Sequence, residues 1–184
     1  MSERTKLTRR GLFRGAGVAT LIGGCVTRKG PEGPEGAVVD ELAQVAELRR
    51  IVEPQIAELA AQRATDLDLA QLDEILRESH AGLTADESLR LDVEFHRRLA
   101  VATGNPLLVG VCEAMNGLVH DVRLRSHWAR EGRRNSIEGH RRLYAAVAAR
   151  DSAAARREMN DHLRQVGDLI NGLDALLARE AEAR

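Results

Sequence analysis

Four side chains in this sequence have the types and spacing to hold a metal ion: Asp92, His96, His140 and His162. Asp92 and His96 are four residues apart, which in a helix sets their Cβ atoms roughly 5 to 6 Å apart on one face. They share a stripe with Phe95 and Leu99, so the polar pair should face the interior of a helical bundle. His140 falls in a second stripe with Ile137, Tyr144 and Val147, and His162 in a third between Met159 and Val166. A lone histidine in such a stripe is ordinarily a core imidazole bonded to a neighbour. Three of them with a carboxylate, all pointing inward, call for a common partner. Carboxylate and imidazole donors suit divalent zinc, nickel, cobalt, manganese or iron, and a bundle core is a recurrent place for such an ion. The expected cofactor is a divalent transition metal, zinc first, and the ligands alone do not select it. His80, His120 and His127 lie at a helix end or off the stripes and read as surface or rim histidines.

Helices must position these residues. Turn signals at Thr65-Asp66, Ala81 to Thr84, Gly104-Asn105-Pro106, about Glu131 to Asn135, and Arg150-Asp151 divide the chain beyond Asp40 into six helices, an all-α antiparallel bundle. The first, about 40 to 64, carries Val45, Leu48, Val52, Ile56 and Leu59 at helical spacing and should bend at Pro54. The second covers about 66 to 80. The third, about 84 to 103, opens on Thr84 and Glu87, a capping-box pair. A fourth, about 106 to 128, should turn Leu108, Val111, Met115, Leu118 and Val122 to one face. The fifth covers about 136 to 149. The last, about 152 to 182, has a coiled-coil-like stripe that could serve a second copy of the chain.

Composition agrees. The 184 residues are 43% hydrophobic and only 2% aromatic, a balance that an aliphatic helical core tolerates better than a sandwich or barrel does. Residues 1 to 36 hold seven basic and three acidic side chains of the chain's 27 and 28, so residues 37 to 184 carry 20 against 25, a net charge of −5. A body of that sign is a poor ligand for duplex DNA, whose affinity rests on phosphate neutralisation. Cys25 and Cys112 lie in unlike contexts and make no disulfide framework. Half of the 16 glycines fall in residues 1 to 36, which end in the Gly-Pro-Glu repeat of Gly30 to Gly36 and read as a flexible tail. Within it Thr8 to Arg14 looks like a twin-arginine export motif, and Ile22-Gly23-Gly24-Cys25 like a lipoprotein processing site. The expected location is cytoplasmic, with export and a lipid anchor at Cys25 as the alternative. No apolar run of about 18 residues suggests a membrane span.

Several segments taken together carry a resemblance. Glu47 to Pro54 with Ala60-Ala61, Asp92-Val93-Glu94-Phe95-His96, Gly104-Asn105-Pro106, His140 before Ala145-Ala146, Arg150-Asp151, and Met159 before His162-Leu163 are similar to the FCD domain, the C-terminal ligand-binding domain of the FadR branch of GntR-type bacterial transcription regulators. The resemblance covers Asp40 to Arg184. It implies an all-α bundle that binds small carboxylate effectors, often beside a metal held by one aspartate and three histidines. Those ligands fall on Asp92, His96, His140 and His162. Arg49 falls where members often have an arginine facing the cavity, and an exposed helix charge is the other reading of it. Members also carry a winged helix-turn-helix of roughly 70 residues, for which residues 1 to 36 are too few. Either that half is missing from this chain or a sensor bundle has been given an export signal, and DNA would be reached only through the absent domain. The leading expectation is a non-enzymatic effector sensor, as a homodimer. The rivals are a helical metal-dependent hydrolase, for which His120-Asp121 lacks partners at useful spacing, and a purely structural dimerisation bundle joined through the last helix.

Overall fold

A computed structural model describes residues 34–182, which form six helices: α1 (Pro34–Arg63), α2 (Asp66–Glu78), α3 (Ala85–Ala102), α4 (Pro106–Trp128), α5 (Arg130–Ala148) and α6 (Ser152–Glu182). The all-α architecture and its six elements match expectation, and no strand occurs among the described residues. The export-like motif and Cys25 lie outside the described residues. So does the tail, except for Pro34 to Gly36, which open α1 instead of closing a linker; proline suits a first helical turn, where its missing N–H costs nothing.

Capping residues set most boundaries. At α2 and α3 a threonine accepts from the backbone N–H three residues on while that residue's carboxylate accepts in return: Thr65 with Asp68, and Thr84 with Glu87. Asn105 accepts from Leu107 N–H ahead of Pro106 and starts α4. The end of α5 is a Schellman turn, with Arg150 N–H bonded to Val147 C=O and Asp151 N–H to Ala146 C=O, each 3.0 Å. Arg150 takes the left-handed position at φ 60, usually a glycine's, and its guanidinium bonds to Ala64 C=O at the end of α1.

One boundary departs from expectation. Residues 131–135 are the first turns of α5 and not a loop, so only Ala129 separates α4 from α5. Gly132 permits this tight junction, because a Cβ there would lie 1.9 Å from Ser126 C=O and 2.8 Å from the Leu169 side chain. Arg133 then closes the end of α4, donating to His127 C=O at 2.6 Å and Trp128 C=O at 2.9 Å.

Helix α3 packs on α2, α4 and α5, and α5 packs on α6. The core they enclose is aliphatic, built on Ile56, Leu72, Leu99, Leu143, Val147 and Met159 with Phe95 as its aromatic member. Ala57, Ala60 and Ala61 of α1 are wholly buried in this core. The inward faces of α1 and α4 follow the apolar stripes expected of them only in part: Ile56 and Met115 are buried, and charged or polar side chains join them. On α1 the buried residues include Arg49, Glu53, Ala57 and Ala60, with Leu48 exposed. On α4 they include Cys112, Met115, Arg123, Ser126 and His127, while Val111 and Leu118 face out. Both helices turn charged side chains to the interior because partners there receive them.

Candidate metal centre

Helix α3 delivers Asp92 and His96, α5 delivers His140 and α6 delivers His162, all at 5% exposure or less. One donor atom from each of the four lies within 4.8 Å of the others. His96 Nε2 is 3.2 Å from His140 Nε2, His140 Nε2 is 3.4 Å from Asp92 Oδ1, and His96 Nε2 is 4.0 Å from Asp92 Oδ1. At metal–ligand bonds of about 2.0–2.2 Å, neighbouring donors of a tetrahedral or octahedral ion stand about 2.8–3.6 Å apart, so the cluster needs little adjustment to close on one ion. One buried atom fits the same reading: among the described residues, His162 Nδ1 has no hydrogen-bond partner. The donor set therefore fits a divalent transition metal.

Surrounding residues hold the rings. Phe95 stacks on His140 with centroids 4.2 Å apart and planes 17° apart. Gly139 makes room for His162, since a Cβ there would meet His162 Nδ1 at 2.7 Å. Ser136 donates to Asp92 Oδ1 at 3.1 Å. Burial and the nearby His162 push the His140 imidazole well below its ordinary range, and burial with His96 pushes His162 down to about 3. Burial and Arg123 also lower His96, against the pull of Glu53. All three are neutral imidazoles at neutral pH, the form that ligates. Burial alone would raise Asp92, but Arg123 and then the His127 hydrogen bond outweigh it, so the carboxyl stays well below its usual range and ionised.

His127 departs from the rim position expected of it. It is 2% exposed, with Nδ1 2.8 Å from Ser88 Oγ and Nε2 3.4 Å from Asp92 Oδ1. Of the apolar stripe expected on α4, Met115 is buried while Val111 and Leu118 face out, and the helix turns His127 inward here. His80 and His120 are exposed, as expected. His120 lines a surface groove of about 420 Å³ with Asp86, Leu89, Arg90, Val93 and Glu94, and none of the four ligand candidates is in it.

Arg49, for which two readings stood open, is 3% exposed. It donates through Nε to Glu53 Oε1 at 2.8 Å and through Nη2 to Oε2 at 3.4 Å. Sequence reasoning missed Glu53 and Arg123. Arg123 Nη2 donates to Glu53 Oε1 at 3.2 Å, and its Nη1 lies 3.4 Å from Asp92 Oδ2 as an ion pair without hydrogen-bond geometry. Both charges fall off the apolar stripes of their helices, and an acid four residues from Arg49 was the one available signal.

Comparison with known proteins gives matches of sequence and of fold. The FCD domain matches residues 44–165. The regulator LutR of Bacillus subtilis is 32% identical over 141 residues, covering 72% of this chain and 64% of its own. The galactonate operon transcriptional repressor of Escherichia coli is 30% identical over 118 residues, covering 63% of this chain and 52% of its own. The chain thus spans less than two thirds of these relatives. Among solved structures, Streptococcus agalactiae GntR superposes with a TM-score of 0.56 at 28% identity, over 69% of this chain and 58% of that one. The E. coli protein McbR/YncC shares the fold, with a TM-score of 0.62 at 17% identity, over 84% of this chain and 77% of that one.

Proposed function

The chain belongs to the FCD-domain family of GntR-type transcription regulators, and from that premise we propose that its helical body is a metal-containing sensor of small organic acids. The observation that carries the reading is the convergence of Asp92, His96, His140 and His162, from three helices, on one buried point. A divalent transition ion, zinc first, held there would supply Lewis-acidic positions for a carboxylate oxygen. One carboxylate and three neutral imidazoles are a complete protein ligand set. That leaves fewer open positions than a catalytic site keeps and favours a binding role over hydrolysis.

Arg49 and Arg123 supply the second half of recognition. Arg49 turns two of its five N–H groups to Glu53, and the rest can fork onto an effector carboxylate beside the ion. The output is a population shift: an effector that binds one helix packing more tightly draws the bundle towards it, by no more than its differential affinity. In a homodimeric cytoplasmic regulator such a shift would change the spacing of two DNA-binding heads. The galactonate operon repressor among the relatives is named for a sugar acid, in keeping with this ligand class.

Elemental analysis and native mass spectrometry of the purified chain test the metal, with about one ion per chain expected. Calorimetry with a panel of small organic acids tests the sensor. A carboxylate should bind the metal-loaded protein about 10- to 100-fold tighter than the stripped one, about 1.4 to 2.8 kcal/mol, and tighten metal binding by the same factor. Arg49→Ala should weaken the carboxylate while the metal stays. Equal affinity for the two forms would make the ion structural and sink the mechanism.

A further inference from the structure

Glu53 is a buried carboxylate on a helix that contributes none of the four ligand candidates. It is 3% exposed, and it meets a ligand candidate directly: His96 Nδ1 lies 2.9 Å from Glu53 Oε2. We propose that Glu53 is the positioning residue of the metal centre: it accepts the Nδ1–H of His96, so that Nε2 carries the lone pair and points at the ion. The proposal rests on the metal reading above and extends it to residues outside the ligand set.

An imidazole carries one proton at neutral pH and ligates through its bare nitrogen, so whatever takes the proton decides which nitrogen is free. In His96 the nitrogen facing the other donors is Nε2, 3.2 Å from His140 Nε2, and Nδ1 faces Glu53. The acceptor itself is clamped. Arg49 holds both its oxygens from four residues away on α1, and Arg123 reaches Oε1 from α4 at 3.2 Å. Glu53 is thus a fixed acceptor. Arg123 also pairs with Asp92 Oδ2 at 3.4 Å, so one guanidinium steadies a ligand carboxylate and the outer carboxylate together.

A purely structural role explains this group poorly. Burying two guanidiniums and two carboxylates incurs a desolvation penalty that their attraction often only offsets, and well-packed apolar residues commonly serve stability as well. The contact that apolar residues could not replace is the one to His96. Carboxylates in this position orient ligating histidines and raise their basicity, and removing them typically lowers metal affinity by about 10- to 100-fold.

The test is cobalt(II) titration of the full metal-stripped chain against a competing chelator, following the visible ligand-field spectrum of wild type, Glu53→Gln and Glu53→Ala. Wild type should bind one cobalt. Glu53→Ala should bind it about 10- to 100-fold more weakly with an altered spectrum, and Glu53→Gln, which keeps an acceptor, should recover part of the loss. Wild type that binds no cobalt overturns both this inference and the metal reading. If wild type binds and both variants match it in affinity and spectrum, the inference alone falls. Should a variant fail to fold, nitrogen-15 NMR of the zinc-loaded wild-type chain decides. The expected result is a His96 protonated at Nδ1 and ligating through Nε2, and the reverse tautomer overturns the proposal.

Discussion

Alanine at His96, His140 or His162 deletes one of four converging donors, and metal content should fall strongly in each variant, whereas His80→Ala and His120→Ala should retain it. His127→Ala should fall between, because its Nε2 stands 3.4 Å from the oxygen that Asp92 turns to the site. Metal analysis of the six purified proteins checks this, and equal loss across all six would refute the assignment. The same imidazoles give the metal-stripped protein a pH signature. Their folded values lie below the ordinary 6.5, His162 at about 3, so between those limits the unfolded chain binds protons that the folded chain refuses. Stability should be intact above about pH 6.5 and decline as the pH falls towards 3. Asp92 and Glu53, both held below their ordinary values, add to the loss once the unfolded carboxylates protonate. Urea midpoints of the stripped protein measured from pH 7.5 to 4.5 should fall steadily, and a flat series would contradict the buried neutral histidines. Residue types and spacings made the convergence of Asp92, His96, His140 and His162 legible in advance. Glu53, Arg123 and His127 were not, because a charged or polar residue off an apolar stripe looks solvated until its partner from another helix is in place.

Helix starts owe much to local chemistry. Thr65→Ala and Thr84→Ala should each cost about 1 kcal/mol, since each removes a side-chain acceptor for an otherwise unpaired backbone N–H. Thermal melts of the two variants measure it, and unchanged melting would mean that tertiary packing alone sets these ends. Gly132→Ala should cost about 1 to 3 kcal/mol by overpacking the α4–α5 junction, with Ser126 C=O only 1.9 Å from the added carbon. If that variant melted like wild type, the junction would be looser than its geometry indicates. Capping boxes and the Asn-Pro start were readable because their partners are within three residues. The continuation of α5 through residues 131–135 was not: Gly132 resembles a breaker in one dimension, and its use as a close contact depends on α4 and on Leu169 of α6.

For the whole molecule, charge and architecture together predict that this chain does not bind duplex DNA selectively. Residues 37 to 184 carry a net −5, and those described form helices only. Any mobility shift should be weak and vanish with added salt, and a nanomolar, sequence-selective shift at physiological salt would overturn this. None of the described helices is long and apolar enough to cross a membrane. What the sequence determined by itself was the helical class, most helix boundaries, and the inward faces of α3 and α5 with their ligand candidates. Those features rest on periodicity and on partners a few residues apart, which one strand of text contains. Only the tertiary structure decided which faces of α1 and α4 turn inward. Hydrophobic spacing assigned the apolar side of each. The packed bundle buries Ile56 and Met115 from those sides but also Arg49, Glu53, Arg123 and His127, because each finds an opposite charge or a hydrogen-bonding partner that offsets its desolvation. That compensation joins Glu53 to Arg123, 70 residues away, and no periodicity along the chain records it.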